Sequence, residues 1–346
     1  MNNNKCFGYP SEEYGSQTVD GVNKKFAVSS KAKFYHYASV DAVRSMLQHK
    51  DQTYTMWASH LSFLNDAEEF ENGKKLIFAA LEEYIRNNMC GINKNDNIIF
   101  KQVVDKFLDA EGKADKDISV DGEILFNRNI YILCFCMEGN SLNQWKYYGK
   151  ESGIALEFNL RRCVFSGINC DNYDTTVNIK PYKVIYDDNE KEKILKNVID
   201  KAYQSFVTGG DDRERDLLRA LAKVYGLCPL FKHKDFSDEK ECRLIFRPLY
   251  HEQGSEDVRT LTKYRNRGGI LLPYMEIKMQ TDEKCIEPVI KNIIIGPGEN
   301  QELLYKSMRH FVIHTGVFDK YMKEDYSNVQ DVLDSHIIKS GTPFRG

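Results

Sequence analysis

The 346-residue chain has only two tryptophans, eight prolines and 22 glycines. Glycine and proline follow no period, which excludes collagen-like and low-complexity classes. No apolar run approaches the roughly 20 residues that cross a bilayer, so no membrane partner is expected. An excess of either charge is missing too: 48 basic residues stand against 51 acidic, a net charge of −3. That balance gives no global field to hold nucleic acid, although a local patch remains open. Nine cysteines are too few and too scattered for a secreted disulfide scaffold, and no C-x-x-C marks a zinc ribbon. The N-terminal MNNNKCFGYPSEEYGSQ lacks the charged-then-apolar order of a signal peptide. A reduced, cytoplasmic setting is the expectation.

What is present reads as α+β. Residues 1–30 are polar and aperiodic and are expected to form an N-terminal arm. A single domain is expected over 31–346. FYHYAS predicts a strand, and Ser39 before VDAVRSMLQ predicts an N-cap with a helix behind it. TYTMWASHL, NIYILCFCM, SGIALEFNL, KPYKVIYDD, ECRLIF, YMEIKM and VIKNIII predict further strands, and HIIKS a last one. Helical spacing marks 68–90, with Leu76, Ala80, Leu81 and Tyr84 on one side, then 96–109, 189–227 in two pieces, and ENQELLYKSMRHFVIHTG. The expected architecture is a strand-rich mixed-sheet core carrying two helical insertions, about 68–125 and 189–230.

No motif with an unambiguous mechanism occurs: there is no P-loop, nucleophile elbow, H-E-x-x-H or EF-hand loop. Gly296-Pro297-Gly298 either presents amides to a phosphate or is simply a tight strand-to-helix connection. His310 and His314 stand four apart on one helix, a spacing able to grip a metal ion. Three richer constellations remain. Trp57-Ala-Ser59 leads into Asn65-Asp66 and Glu68-Glu69, which either cap the next helix or present carboxylates to a ligand. Cys134-Phe-Cys136 leads into Asn140, Asn143, Gln144, Trp145, Tyr147 and Tyr148, where flat rings beside amides suit a nucleobase or nicotinamide, or else anchor a turn. The two cysteines would lie on one face of their strand as small apolar residues. Lastly, Glu239, Glu241 and Arg243 share a face if their segment is a strand. Two like carboxylates held together repel unless a cation, substrate or proton relieves them.

Taken in order, these segments resemble one bacterial family, the domain of unknown function 2971. The resemblance runs from residue 33 to 346. It rests on Phe34-Tyr-His-Tyr37, on Trp57-Ala-Ser59 with Asn65-Asp66-x-x-Glu69, and on the CFC…W-x-x-Y-G stretch with Gly153–Phe158. Glu239-Lys-Glu241-Cys-Arg243, Ile293-Ile-Ile-Gly-Pro297 and the tail Ile338-Lys-Ser340-x-x-Pro343-x-Arg345 complete it. Ala67 departs from the family, which often has proline there, and Cys134 and Cys136 stand where serines are common. More distantly, Glu239-x-Glu241 is similar to the catalytic segment of arginine-type ADP-ribosyltransferases, with His36 and Cys134-Phe-Cys136 as the two earlier elements.

That resemblance implies an ADP-ribosyltransferase-like sheet and NAD as a substrate, with ADP-ribose passing to an unknown protein or nucleic-acid acceptor in anti-phage defence or as a toxin. Glu241 would stabilise the oxocarbenium-like state, and Glu239 would orient the acceptor. His36, Tyr37, Trp57, Asn65, Asp66, Trp145, Tyr148 and Arg243 would hold the nucleotide. Such a site requires the strand of His36 to lie beside that of Glu241. The alternative is a non-catalytic module that senses a nucleotide or a phage component. A third reading, a nuclease with divalent metal on Asp66, Glu69, Glu239 and Glu241, has near-neutral charge against it.

Overall fold

The structure is a computed structural model that describes residues 26–48, 53–64, 68–88, 94–112, 118–120, 123–126, 129–149, 153–166, 181–246, 262–281 and 285–343. Most of the expected N-terminal arm, together with Asn65 and Asp66, lies outside them. In chain order the elements are β1 (Phe34–Ser39), α1 (Val40–Leu47), β2 (Tyr54–His60), α2 (Glu68–Asn88), α3 (Lys94–Glu111), β3 (Ile118–Val120), β4 (Glu123–Phe126), β5 (Tyr131–Cys136), β6 (Gly153–Phe158), β7 (Cys163–Ser166), β8 (Tyr182–Lys183), α4 (Asp188–Thr208), α5 (Arg213–Tyr225), β9 (Glu241–Phe246), β10 (Lys263–Arg267), β11 (Ile270–Thr281), β12 (Ile290–Ile295), α6 (Gln301–Thr315), α7 (Val329–His336) and β13 (Ile337–Lys339). This is a mixed α/β chain, and among the described residues no helix is long and apolar enough to cross a membrane.

The chain divides into two compact units. One comprises Met1–Ala27, His60–Tyr131 and Val184–Ser237; the other comprises Val28–Ser59, Ile132–Lys183 and Asp238–Gly346. The helical stretches expected at 68–125 and 189–230 both fall in the first unit, where α2, α3, α4 and α5 pack on one another. Its core includes Ile77, Leu81, Phe107, Leu195, Leu221 and Tyr225. The buried line of α2 therefore runs through Ile77 and Leu81, not through Leu76 and Ala80 as the spacing suggested. Gly73 extends that line because a Cβ there would stand 2.9 Å from the Cys228 carbonyl oxygen. The ends of α4 follow from its sequence. The Asp187 carboxylate accepts from the Glu190 N–H at 2.8 Å, and Gly209 closes the far end. Of the expected KPYKVIYDD strand only Tyr182–Lys183 forms β8, and its last residues enter the cap and first turn of α4.

The second unit holds nearly all of an 11-stranded sheet whose main path is β10-β11-β2-β5-β1-β6-β12-β13. The sheet is mixed: β12 and β13 run parallel, whereas β1, β6, β10 and β11 pair antiparallel with their neighbours. The expected N-cap is present, with Ser39 Oγ accepting from the Ala42 N–H at 3.4 Å. In β6 every residue is buried, as in a central strand covered on both faces. Glu157 is consequently inside, where it accepts from Asn292 Nδ2 at 2.7 Å and from the Tyr35 hydroxyl at 3.2 Å. One expectation is corrected here. β1 pairs with β5 and β6, whereas β9 pairs with β5 and β8, so the strands of His36 and Glu241 are not neighbours.

Candidate functional site

The Glu239-x-Glu241 pair does not form two rungs of one strand. Glu239 ends a short 3-10 helix, Lys234–Glu239, and Lys240 turns into the left-handed region at φ 43° before β9 starts at Glu241. The period-2 argument therefore holds for Glu241 and Arg243 only. Those two close on each other: Arg243 Nε donates to Glu241 Oε1 at 2.7 Å, and Nη2 donates to Oε2 at 3.0 Å. Both are buried, with 1% of Arg243 and 6% of Glu241 exposed. In a bidentate fork of this kind both carboxylate oxygens face one cation, and breaking such a buried pair is costly. Lys240 lies outside that pair and bonds Glu138 at 2.6 Å.

The aromatic and amide stretch is equally committed to the fold. Trp145 is buried, and its Nε1 donates to Asn140 Oδ1 at 3.0 Å. The same oxygen accepts from the Ser340 hydroxyl at 2.5 Å and from the Thr342 hydroxyl at 2.6 Å, which ties the C-terminal tail to this turn. Tyr37 packs edge-on against Trp145, and its hydroxyl donates to the Glu138 carbonyl at 2.7 Å. A Cβ on Gly296 would come within 2.8 Å of both the Trp145 ring and the Gly153 carbonyl oxygen. The Gly-Pro-Gly turn thus needs its first glycine for close packing, the tight-connection reading of that motif. Tyr148 is 39% exposed. Cys134 and Cys136 carry free thiols, and burial raises the Cys136 thiol to about 11, so it stays protonated and packs as an apolar group.

Trp57 differs from Trp145. It stands 42% exposed on β2. The register pairs Trp57 with Glu276 and Ser59 with Tyr274, and pairs Lys263 with Tyr274 and Arg265 with Leu272. Cross-strand partners share a face, so Trp57, Ser59, Tyr274, Glu276, Lys263, Arg265 and Arg267 stand on one side of β2, β11 and β10. Met56, Ala58, Met275 and Ile277 alternate with them and fill the buried side. The Arg265 guanidinium lies 5.7 Å from the Trp57 ring centre and 6.0 Å from that of Tyr274. Its Nη2 donates to Ser59 Oγ at 2.8 Å, while its Nε is shielded from solvent without a partner. No described carboxylate pairs with Arg265; Glu276 is taken by Lys263 at 2.6 Å. Burial and the charge of Arg267 both lower the Arg265 pKa.

His36 lies within the electrostatic reach of Arg265. Its Nδ1 is 3.2 Å from the Cys134 carbonyl oxygen, which can only accept, so Nδ1 carries the proton and Nε2 keeps its lone pair. Burial lowers the His36 pKa, the carbonyl contact opposes that, and Arg265 lowers it further. The structure therefore gathers Trp57, Arg265 and the influence of His36. It sets Trp145, Tyr37, Glu241 and Arg243 in buried contacts, and it leaves Asn65 and Asp66 undescribed. Arg265 and Tyr274 were missed from sequence. The alternation in KYRNR-GG-ILLPY around a Gly-Gly turn was the signal that could have found them.

Elsewhere, Glu69 is buried with Lys232 at 3.5 Å. His310 and His314 stack at 4.2 Å on α6, and no group of three potential metal ligands occurs among the described residues. A family model described as "Protein of unknown function (DUF2971)" matches residues 144–244. That span takes in Trp145, β6 and the Glu241–Arg243 pair; Trp57 and Arg265 lie outside it. No curated protein and no solved structure matches the chain, so the ADP-ribosyltransferase resemblance gains no support from either comparison.

Proposed function

We propose that the protein is a non-catalytic module that binds a nucleotide-class ligand on the face formed by β2, β11 and β10. The observation that carries this reading is Arg265: a half-buried guanidinium with no carboxylate partner among the described residues and an unpartnered Nε, lying over the exposed ring of Trp57. A guanidinium in that state gains from a phosphate oxygen, which offers charge and acceptors together. The exposed part of the Trp57 ring offers an apolar surface for a base, and the Ser59 hydroxyl adds hydrogen-bonding capacity beside Arg265.

NAD belongs to this ligand class as a candidate, but its cleavage would ask more of the site. A carboxylate that stabilises an oxocarbenium-like state must face the reacting sugar. Both oxygens of Glu241 instead face Arg243, which is why the binding reading is preferred to the transferase.

Titrating the purified protein with AMP, ATP and NAD, followed by calorimetry and Trp57 fluorescence, tests the proposal. The expected result is saturable binding that weakens roughly tenfold or more in Arg265→Gln, the loss typical of a charge-assisted contact. Absence of binding to all three would overturn it. Release of nicotinamide that disappears in Glu241→Gln, at an unchanged melting temperature, would replace it with the transferase.

A further inference from the structure

The same face continues past the edge of β2. The pairs of β11 with β2 begin at Tyr274, whereas those with β10 run from Tyr274 outward to Ile270. β10 and the first residues of β11 therefore extend as a two-stranded ribbon. Its turn is closed by Gly268 and Gly269 at φ 60° and 85°, conformations that glycine adopts without strain, and by the Gly269 N–H donating to Asn266 Oδ1 at 3.0 Å. On the ribbon Ile270 is 59% accessible on the Trp57 side, and Tyr264 and Leu271 are 63% and 65% accessible on the other, whereas Leu272, opposite Arg265, is buried.

Charge on this surface runs against the chain average. Lys263, Arg265 and Arg267 occupy alternate positions of β10 on the Trp57 face. Lys278 joins them from β11, and among the described strand residues Glu276 is the acidic side chain on this side. Among the described strand residues of this face, four basic groups stand against one acidic, and Glu276 holds Lys263 at 2.6 Å, which leaves a local excess of positive charge in a protein of net charge −3. Alternate strand residues are spaced by about 6.8 Å, twice the antiparallel rise. That repeat suits the successive phosphates of an extended single strand, and the exposed part of the Trp57 ring beside it can take a stacked base. A second copy of the ribbon is a poor occupant. Antiparallel pairing of β10 about Arg265 would set Lys263 against Arg267 and Arg265 against itself, like charges directly opposed.

We infer that this ribbon and the Trp57 face bind single-stranded nucleic acid, with bases on Trp57 and phosphates along Arg265 and its neighbours. The inference rests on the nucleotide-binding reading and deepens it, since it makes the ligand a polymer that lies along a strand.

The test is fluorescence anisotropy with labelled oligothymidylates and oligouridylates of one to twelve nucleotides, alongside a labelled oligoglutamate peptide. Affinity should rise at least about tenfold from the mononucleotide to the octamer and fall linearly with the logarithm of salt concentration, as counterion release requires. Trp57→Ala and Arg265→Gln should each weaken octamer binding roughly tenfold with the fold intact by thermal melt, Trp57→Phe should recover part of the loss, and Lys306→Gln on α6 should change nothing. Mononucleotides binding as tightly as octamers would overturn the inference and leave the nucleotide reading standing. Binding of oligoglutamate without binding of oligonucleotides would also overturn it and make the partner an acidic protein. Failure of every nucleotide and oligonucleotide to bind would remove both.

Discussion

Two arginines on strands of the same unit, and the chain's two tryptophans, divide between opposite physical situations. Arg243 is sealed in the sheet with both edges of a carboxylate on it, and Trp145 is sealed beneath a glycine turn with its Nε1 donating to Asn140. Arg265 lies half-buried with a hydroxyl and two rings for company, and Trp57 is 42% exposed with its ring 4.5 Å from that of Tyr274. The sealed pair does its chemistry with the protein itself. The open pair keeps unused capacity, and unused capacity is what a ligand needs. Of two similar residue sets, the one whose cation has no carboxylate among the described residues and keeps an unpartnered Nε is therefore the better candidate for function.

The largest test of this division is Glu241→Gln. Removing the carboxylate charge breaks a buried bidentate ion pair, which typically costs about 3–5 kcal/mol. Chemical denaturation should register it as a lower midpoint with an unchanged slope. The double change Glu241→Leu with Arg243→Met removes both charges and should recover much of the loss, because apolar replacement of a whole buried pair is often neutral. A Glu241→Gln protein as stable as the parent would erase the distinction between the two arginines.

Gly296→Ala probes the sealed tryptophan in the same way. The new Cβ would meet the Trp145 ring and the Gly153 carbonyl at 2.8 Å, and neither has room to yield. Overpacking of this kind costs about 1–3 kcal/mol. A comparable loss of stability should appear in thermal melts, whereas Trp57→Ala at the surface should leave the melt nearly unmoved.

Burial also holds a titratable ring neutral at His60 in the helical unit. Its Nδ1 accepts from the Ser62 N–H at 3.2 Å, and burial lowers its pKa to about 4. The unfolded chain takes up this proton near pH 6.5 and the folded one only near pH 4, so folding stability falls as pH drops through that window. The contribution should reach about 1–2 kcal/mol by pH 5. His60→Asn keeps an acceptor for the Ser62 N–H and should flatten this part of the pH profile, measured as the denaturation midpoint between pH 7 and 4.5.

Most elements were legible because their causes are local. The Ser39 cap, the apolar run of β5 and the helical spacing of 68–90 each act within a few residues. The failures have non-local or conformational causes. Glu239 and Glu241 look like strand neighbours until Lys240 adopts φ 43° and separates them. Trp145 looks like a ligand platform because sequence cannot show that Tyr37, Gly296 and the tail at Ser340 converge on it. Arg265 was invisible as a site residue because its partners, Trp57 and Ser59, lie some 200 positions earlier in the chain. The span matched by the family model, 144–244, contains the sealed pair and omits the open one. In this chain that similarity marks residues that hold the fold as well as any that act on a ligand.

The finest test converts the open arginine into a closed one. Ser59→Asp places a carboxylate where the hydroxyl now accepts from Arg265 Nη2 at 2.8 Å, giving Arg265 the kind of partner that Arg243 already has. Because Arg265 is only half-buried, the new ion pair should shift stability by no more than about 1 kcal/mol, and toward greater stability. Ligand binding should nevertheless weaken roughly tenfold or more, as in Arg265→Gln, because the cation is answered from within and a carboxylate now faces any incoming phosphate. Ser59→Asn has similar size without charge and should retain most of the affinity. A Ser59→Asp protein that binds nucleotides as well as the parent would mean that the open arginine is not the element that recognises them. A protein that loses binding while melting at the same temperature or slightly higher would tie recognition to the missing carboxylate and not to the stability of the sheet.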